Sequence, residues 1–199
     1  MTKIKICGLS RPCDIEAANA FMPDYVGFVF APSRRRVTPE RARELRAALS
    51  AGIIPVGVFV NETIENIAAI VEAGLIDIVQ LHGDESEAFI TELKAAVNAP
   101  VIKAALVRSP GDARAWENSR ADYLLLDSGR GTGVSFDWCL IGKLNRPFFL
   151  AGGLDINNIG AAVAAVNPFA VDISGGVETD GLKDCHKMEE VIRRVRTRG

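Results

Sequence analysis

Eight short apolar runs, each followed by a longer and more polar stretch, recur along the whole chain and leave few folds open to it. The runs are Ile4–Cys7, Tyr25–Phe30, Pro55–Val60, Ile76–Gln80, Pro100–Lys103, Tyr123–Asp127, Phe148–Ala151 and Phe169–Ile173. Most are dense in Val, Ile, Leu and Phe, the composition of parallel strands covered on both faces. Between them, Arg11–Ala20, Pro39–Ser50, Glu62–Ala73, Glu85–Asn98, Asp155–Val166 and Asp180–Arg198 read as helices, with weaker signals over Asp112–Glu117 and Asp137–Leu144. Thr38-Pro39 places a capping hydroxyl ahead of a first-turn proline. Acids at Asp84-Glu85 and Asp155 suit helix N-termini, and Gly52 and Gly74 suit helix ends. Eight strand–helix pairs predict an α/β chain folded as one compact (β/α)8 TIM barrel over residues 1–199. At roughly 25 residues per unit the loops must be short, since this fold typically takes about 250 residues. An open doubly wound sheet is the alternative. It is disfavoured because no G-x-G-x-x-G follows the first run and no break in composition divides the chain.

In such a barrel the chemistry belongs where strands end. The first run ends in Cys7-Gly8, the second leads into Ser33-Arg34-Arg35-Arg36, and the third into Asn61. The fourth ends in Gln80-Leu81-His82-Gly83, the fifth in Lys103-Ala104 and the sixth in Asp127-Ser128-Gly129. The seventh ends in Gly152-Gly153 and the eighth in Asp172-Ile173-Ser174-Gly175-Gly176. Two Gly-Gly pairs at the last two loops predict a phosphate site, where the backbone approaches an anion closely; tight turns are the plainer explanation. Strand parity turns Lys5 and Cys7 inward, so Cys7 is a candidate base if Lys5 draws its pKa towards neutrality, and a small buried hydrophobe otherwise. Asp127 is a candidate acid or, more simply, a loop cap. One arginine of Arg34–Arg36 suits a carboxylate; the rest read as a solvated run. His82 fits either substrate contact or loop bonding. No residues stand at metal-ligand spacing, so no metal is expected.

A net charge of -2, from 23 Lys+Arg against 25 Asp+Glu, argues against nucleic acid or an anionic membrane as partner. The N-terminus lacks the look of a signal peptide, and the longest apolar stretch, Gly52–Val60, is too short to span a bilayer. Four scattered cysteines fit reduced thiols in the cytoplasm. A monomer is preferred, with no strong signal for any oligomeric state.

The strand ends, taken in order, resemble phosphoribosylanthranilate isomerase of tryptophan biosynthesis. Lys5-Ile6-Cys7-Gly8, Val56-Gly57-Val58-Phe59-Val60-Asn61 and Gln80-Leu81-His82-Gly83 carry the resemblance, followed by Gly131-Thr132-Gly133 before Phe136-Asp137-Trp138. Leu150-Ala151-Gly152-Gly153 and Val171-Asp172-Ile173-Ser174-Gly175-Gly176-Val177-Glu178 complete it, over nearly the whole chain. The resemblance implies an Amadori rearrangement of N-(5-phosphoribosyl)anthranilate without a cofactor. It implies Asp127 as general acid for ring opening and Cys7 as the base that takes the C2 proton. It implies Arg35 as the anthranilate-carboxylate anchor, with Gln80, His82, Gly152, Gly153, Asp172, Ser174, Gly175 and Gly176 touching the substrate. Two departures stand out: Gly175 where serine is frequent, and Val134 where lysine is frequent.

Two rivals remain. The related histidine-pathway isomerase performs the same rearrangement, but its pattern has aspartate at the Cys7 position. Its doubly phosphorylated substrate would also meet an acidic stretch at Asn61-Glu62 and Asp84-Glu85. A barrel that only binds a sugar phosphate would need the glycines but not Cys7 and Asp127 together.

Overall fold

Side chains alternate along a strand, and in this chain that alternation decides which residues reach the barrel mouth. The computed structural model describes residues 1–127, 129 and 137–197. The strands β1 (Lys3–Cys7), β2 (Tyr25–Val29), β3 (Ile54–Phe59), β4 (Ile78–Leu81), β5 (Val101–Leu106), β6 (Tyr123–Asp127), β7 (Phe148–Leu150) and β8 (Ala170–Ile173) pair in sequence order and close on themselves. Every pairing is parallel, and β1 meets β8 with Lys5 opposite Asp172. Tyr25, Val56, Ile78, Ile102, Leu125, Phe149 and Ala170 fill the barrel interior. Two residues further along their strands, Val58, Gln80, Asp127, Ala151 and Asp172 line the mouth, as Cys7 does two residues after Lys5. The opposite parity, including Ile4, Ile6, Val26, Phe28, Val79 and Leu126, packs outward against helix residues such as Ile15, Leu45, Ile67 and Ile90.

The helices are α1 (Pro12–Phe21), α2 (Pro39–Ala48), α3 (Ile64–Glu72), α4 (Glu87–Ala96), α5 (Asp112–Ala115), α6 (Ile159–Val166) and α7 (Cys185–Arg196), with one 3₁₀ turn at Trp138–Ile141. Hydroxyl side chains cap three of the starts. Thr38 accepts from the Arg41 N–H at 3.2 Å, Thr63 from Asn66 at 3.3 Å and Ser86 from Phe89 at 3.3 Å.

Helix boundaries shift from the sequence reading: most move by a residue or two, and α6 begins at Ile159 rather than Asp155. The segment from Asp180 does not start a helix. A hairpin, β9 (Glu178–Thr179) and β10 (Leu182–Lys183), precedes α7. Its central residues Asp180 and Gly181 have φ of 52° and 80°, the left-handed pair that an Asp-Gly turn favours. Asp184 then caps α7, accepting from the His186 and Lys187 N–H groups. Glu85 likewise lies outside α4: it is buried in the loop before the helix, where it pairs with Lys103. Gly131-Thr132-Gly133, Val134 and Arg198 fall outside the described residues.

Candidate active site

A cavity of about 870 Å³ opens at the C-terminal ends of the strands. All eleven residues singled out from the sequence line it: Cys7, Arg35, Gln80, His82, Asp127, Gly152, Gly153, Asp172, Ser174, Gly175 and Gly176. The hollow at the opposite end, lined by Met1, Thr2, Asn167 and Phe169 among others, holds no thiol, imidazole or carboxylate in its lining.

Cys7 sits on the inward face of β1 beside Gly27 of β2. A Cβ at position 27 would stand 2.7 Å from the Cys7 Sγ, so the glycine makes room for the thiol. Lys5 is wholly buried and its Nζ meets Asp172 Oδ2 at 2.8 Å. Asp172 Oδ1 is buried and unpartnered among the described residues, on the wall of the cavity. Burial pushes the Cys7 thiol above its ordinary value; the positive charges of Lys5 and Lys183 oppose the rise and Asp172 adds to it. Of the two alternatives the sequence left open, activation by Lys5 is therefore the weaker. The ammonium is already committed to a carboxylate, and desolvation of a thiolate outweighs what remains.

Asp127 stands at the end of β6, with its carboxylate Oδ2 3.6 Å from His82 Nε2. Burial works to raise the Asp127 carboxyl, but His82 and the Gly129 N–H, 2.9 Å away, bring it below its ordinary value. Gln80 Nε2 lies 3.0 Å from His82 Nδ1 and so tethers the far side of the ring.

The arginine run divides in a way the sequence did not indicate. Arg35 Nε and Nη2 hold the two oxygens of Glu178 at 2.6 and 2.9 Å. Arg34, although 59% exposed, also reaches Glu178, at 2.5 Å. Arg36 is exposed. Lys183 Nζ meets the same Glu178 at 2.8 Å and the Ser174 carbonyl at 2.8 Å. Burial alone would raise the Glu178 carboxyl; hydrogen bonds from Arg35 and Lys183 bring it down to about 2. Lys183 escaped the sequence reading because its segment was assigned to a helix, and Glu178, quoted at the end of the eighth-strand motif, was given no role. The Asp180-Gly181 pair between Glu178-Thr179 and Leu182-Lys183 was the available signal for the hairpin.

Gly152 and Gly153 adopt φ of 89° and 60°, backbone that favours glycine. The second pair is unequal. A Cβ at Gly176 would collide with the Leu154 carbonyl oxygen, whereas at Gly175 it would meet nothing nearer than Arg35 Nη2 at 4.0 Å. The departure to glycine at position 175 is therefore not forced by packing. The acidic stretch after β4 also differs from expectation. Glu85 is neutralised by Lys103 at 2.8 Å and accepts from the Asn61 N–H at 2.8 Å. Its charge consequently gives no argument against a second phosphate.

A family model described as N-(5'-phosphoribosyl)anthranilate (PRA) isomerase matches residues 4–194. The chain is 44% identical to the N-(5'-phosphoribosyl)anthranilate isomerase of Endomicrobium trichonymphae, over 99% of this chain and all of that protein. It superposes on the phosphoribosyl anthranilate isomerase of Thermotoga maritima with a TM-score of 0.90, at 36% identity, covering 99% of this chain and 100% of the other. A phosphoribosyl anthranilate isomerase solved in complex with reduced 1-(o-carboxyphenylamino)-1-deoxyribulose 5-phosphate gives a TM-score of 0.88 at 35% identity, over 99% and 100% of the two chains.

Proposed function

The chain belongs to the N-(5'-phosphoribosyl)anthranilate isomerase family, and from that premise we propose that Asp127 and Cys7 are the acid and base of its rearrangement. The substrate is N-(5-phosphoribosyl)anthranilate and the product 1-(2-carboxyphenylamino)-1-deoxyribulose 5-phosphate, an intermediate of tryptophan biosynthesis. Asp127 gives its proton to the ribose ring oxygen, the C1–O bond breaks, and the anilino nitrogen lone pair forms a C1=N iminium. Cys7 takes the C2 proton, and the C2–H electron pair becomes the C1=C2 bond of an enolamine that neutralises the iminium. Protonation at C1 and loss of the enol proton leave the ketone at C2. Substrate and product are isomers, and the substrate's own nitrogen acts as the electron sink. Cys7 takes the C2 proton as a thiolate, its own proton having passed to Asp127 before ring opening, and the iminium then stabilises the thiolate beside it.

The observation that carries this reading is the meeting of Cys7, Asp127, Arg35 and both glycine loops on one cavity. Arg35 takes the anthranilate carboxylate. The backbone of Gly152, Gly153, Gly175 and Gly176 takes the phosphate, with Ser174 beside it. Gln80 orients His82, and the unpartnered Asp172 Oδ1 accepts from a substrate hydroxyl or N–H. Among the described residues no helix is long and apolar enough to cross a membrane. The free thiols of Cys7, Cys13, Cys139 and Cys185 support a reducing, cytoplasmic setting. The reading is tested by following a C2-deuterated substrate: Cys7→Ala should abolish loss of the label to solvent, and retained washout would move the base elsewhere.

A further inference from the structure

The β9–β10 hairpin brings one carboxylate, Glu178, against three cations, and Arg35 is the one that holds both of its oxygens. A guanidinium has five N–H donors in a fixed plane. Glu178 engages Nε and one N–H of Nη2 side-on, which leaves the second Nη2 proton and both Nη1 protons. The remaining Nη2 proton and one Nη1 proton form the end-on fork, an edge that accepts a second carboxylate.

The arm behind that fork is fixed along its length. It leaves the loop after β2 and passes over Gly8, whose φ is 84° and where any Cβ would collide with Arg35 Cδ. It ends near Gly175 on the loop after β8. Arg34 covers the hairpin turn, with Nη1 2.8 Å from where a Gly181 Cβ would stand. Lys183, in the adjoining strand, pins Glu178 from the other side and ties the hairpin to Ser174. Without Glu178 the arm keeps several χ rotations. With it, the plane of the guanidinium is set before substrate arrives, which lowers the ordering cost of binding.

We propose that Glu178 is a positioning residue: by holding the side-on edge of Arg35 it presents the end-on edge to the aryl carboxylate of the substrate. The proposal rests on Arg35 being the carboxylate anchor. It adds that the specificity for an acidic aryl amine is set as much by the hairpin as by the arginine.

The test compares two inhibitors: reduced 1-(2-carboxyphenylamino)-1-deoxyribulose 5-phosphate and its phenylamino counterpart without the carboxyl group. In the parent protein the carboxyl group should improve Ki by about 10-fold or more. Glu178→Gln should lose most of that preference, about 10-fold, by weakening only the carboxylate-bearing inhibitor. KM should rise while kcat stays within a few-fold. Equal weakening of both inhibitors would make Glu178 merely structural and overturn the proposal, as would an unchanged ratio. Tighter binding of the carboxylate-bearing inhibitor would also overturn it, showing Glu178 to be a competitor for Arg35. If Glu178→Gln is unstable, Glu178→Gln/Lys183→Met, which removes the buried pair together, should show the same loss of preference. Arg35→Ala separates the two readings. An unchanged ratio there removes the anchor itself, whereas a lost ratio there with a normal one in Glu178→Gln removes only the positioning role.

Discussion

His82 Nε2 lies 3.6 Å from Asp127 Oδ2 while Gln80 Nε2 lies 3.0 Å from the other ring nitrogen, Nδ1. With the Gln80 amide donating to Nδ1, the neutral ring carries its proton on Nε2, the nitrogen that faces Asp127. His82 and the Gly129 N–H favour the ionised carboxylate, while burial favours the Cys7 thiol. The arrangement the proposed mechanism needs, thiolate with protonated Asp127, carries the same number of protons. It is reached by moving one proton between the two groups rather than by gaining or losing one.

Cys7 should therefore resist alkylation in the free protein. A raised pKa means a smaller thiolate fraction at any given pH, so its iodoacetamide rate should climb through a midpoint above the ordinary 9.0. Cys13, Cys139 and Cys185 are exposed and should react first at neutral pH, without loss of activity. Inactivation should track Cys7 alone and be blocked by the reduced product analogue. A midpoint below 9.0 would show that the surrounding lysines activate the thiol after all.

The barrel and the membership of its mouth were legible because both depend on local patterns. Buried parallel strands are unbroken apolar runs, and period-two alternation carried Cys7, Gln80, Asp127 and Asp172 to one end. What stayed hidden were partnerships between segments far apart in sequence. Nothing near Arg35 indicates that Glu178 will hold it, and nothing near Glu85 announces Lys103. The hairpin had a local signal in Asp180-Gly181, but the amphipathic pattern of the following α7 extends smoothly back across it. The sequence left the state of Cys7 open because it shows the adjacent cation and not the carboxylate that occupies it.

The glycines after β8 should differ sharply. Gly175→Ser should fold normally and keep kcat/KM within a few-fold, since the position is open. Gly176→Ala should destabilise the protein, because its methyl group meets the Leu154 carbonyl oxygen. Thermal melting of the two variants side by side decides the point, and equal melting temperatures would contradict the packing described.

The buried pair under the β4 loop should matter for stability. Lys103 and Glu85 side chains are 1% and 2% exposed, and Glu85→Ala leaves Lys103 without its counter-ion. Breaking a buried pair costs about 3–5 kcal/mol, a fall in Tm of roughly 6–20 °C for a chain of this size. Because the same loop carries His82, kcat should drop as well. Denaturant unfolding within about 1 kcal/mol of the parent would contradict this.

The three arginines should separate in kinetics. Arg35→Ala should lower kcat/KM by about 10- to 100-fold, the weight of a bidentate, partly desolvated contact. Arg34→Ala should stay within a few-fold, because a largely exposed ion pair contributes little, and exposed Arg36→Ala should be mild. Lysine at position 35 should rescue poorly, since a point charge supplies neither fork. Equal small effects at all three positions would return the run to solvent.

The assignment of the acid is tested most directly by Asp127→Asn, in an assay that follows loss of phosphoribosylanthranilate fluorescence. The amide matches the carboxylate in size and cannot give up a proton, so the fold and the Ki of the reduced product analogue should be preserved. The kcat should fall by about 10²–10⁴, the usual contribution of a general acid. Retention of more than about a tenth of the parent kcat would contradict the account and move the proton donor to another group on the cavity.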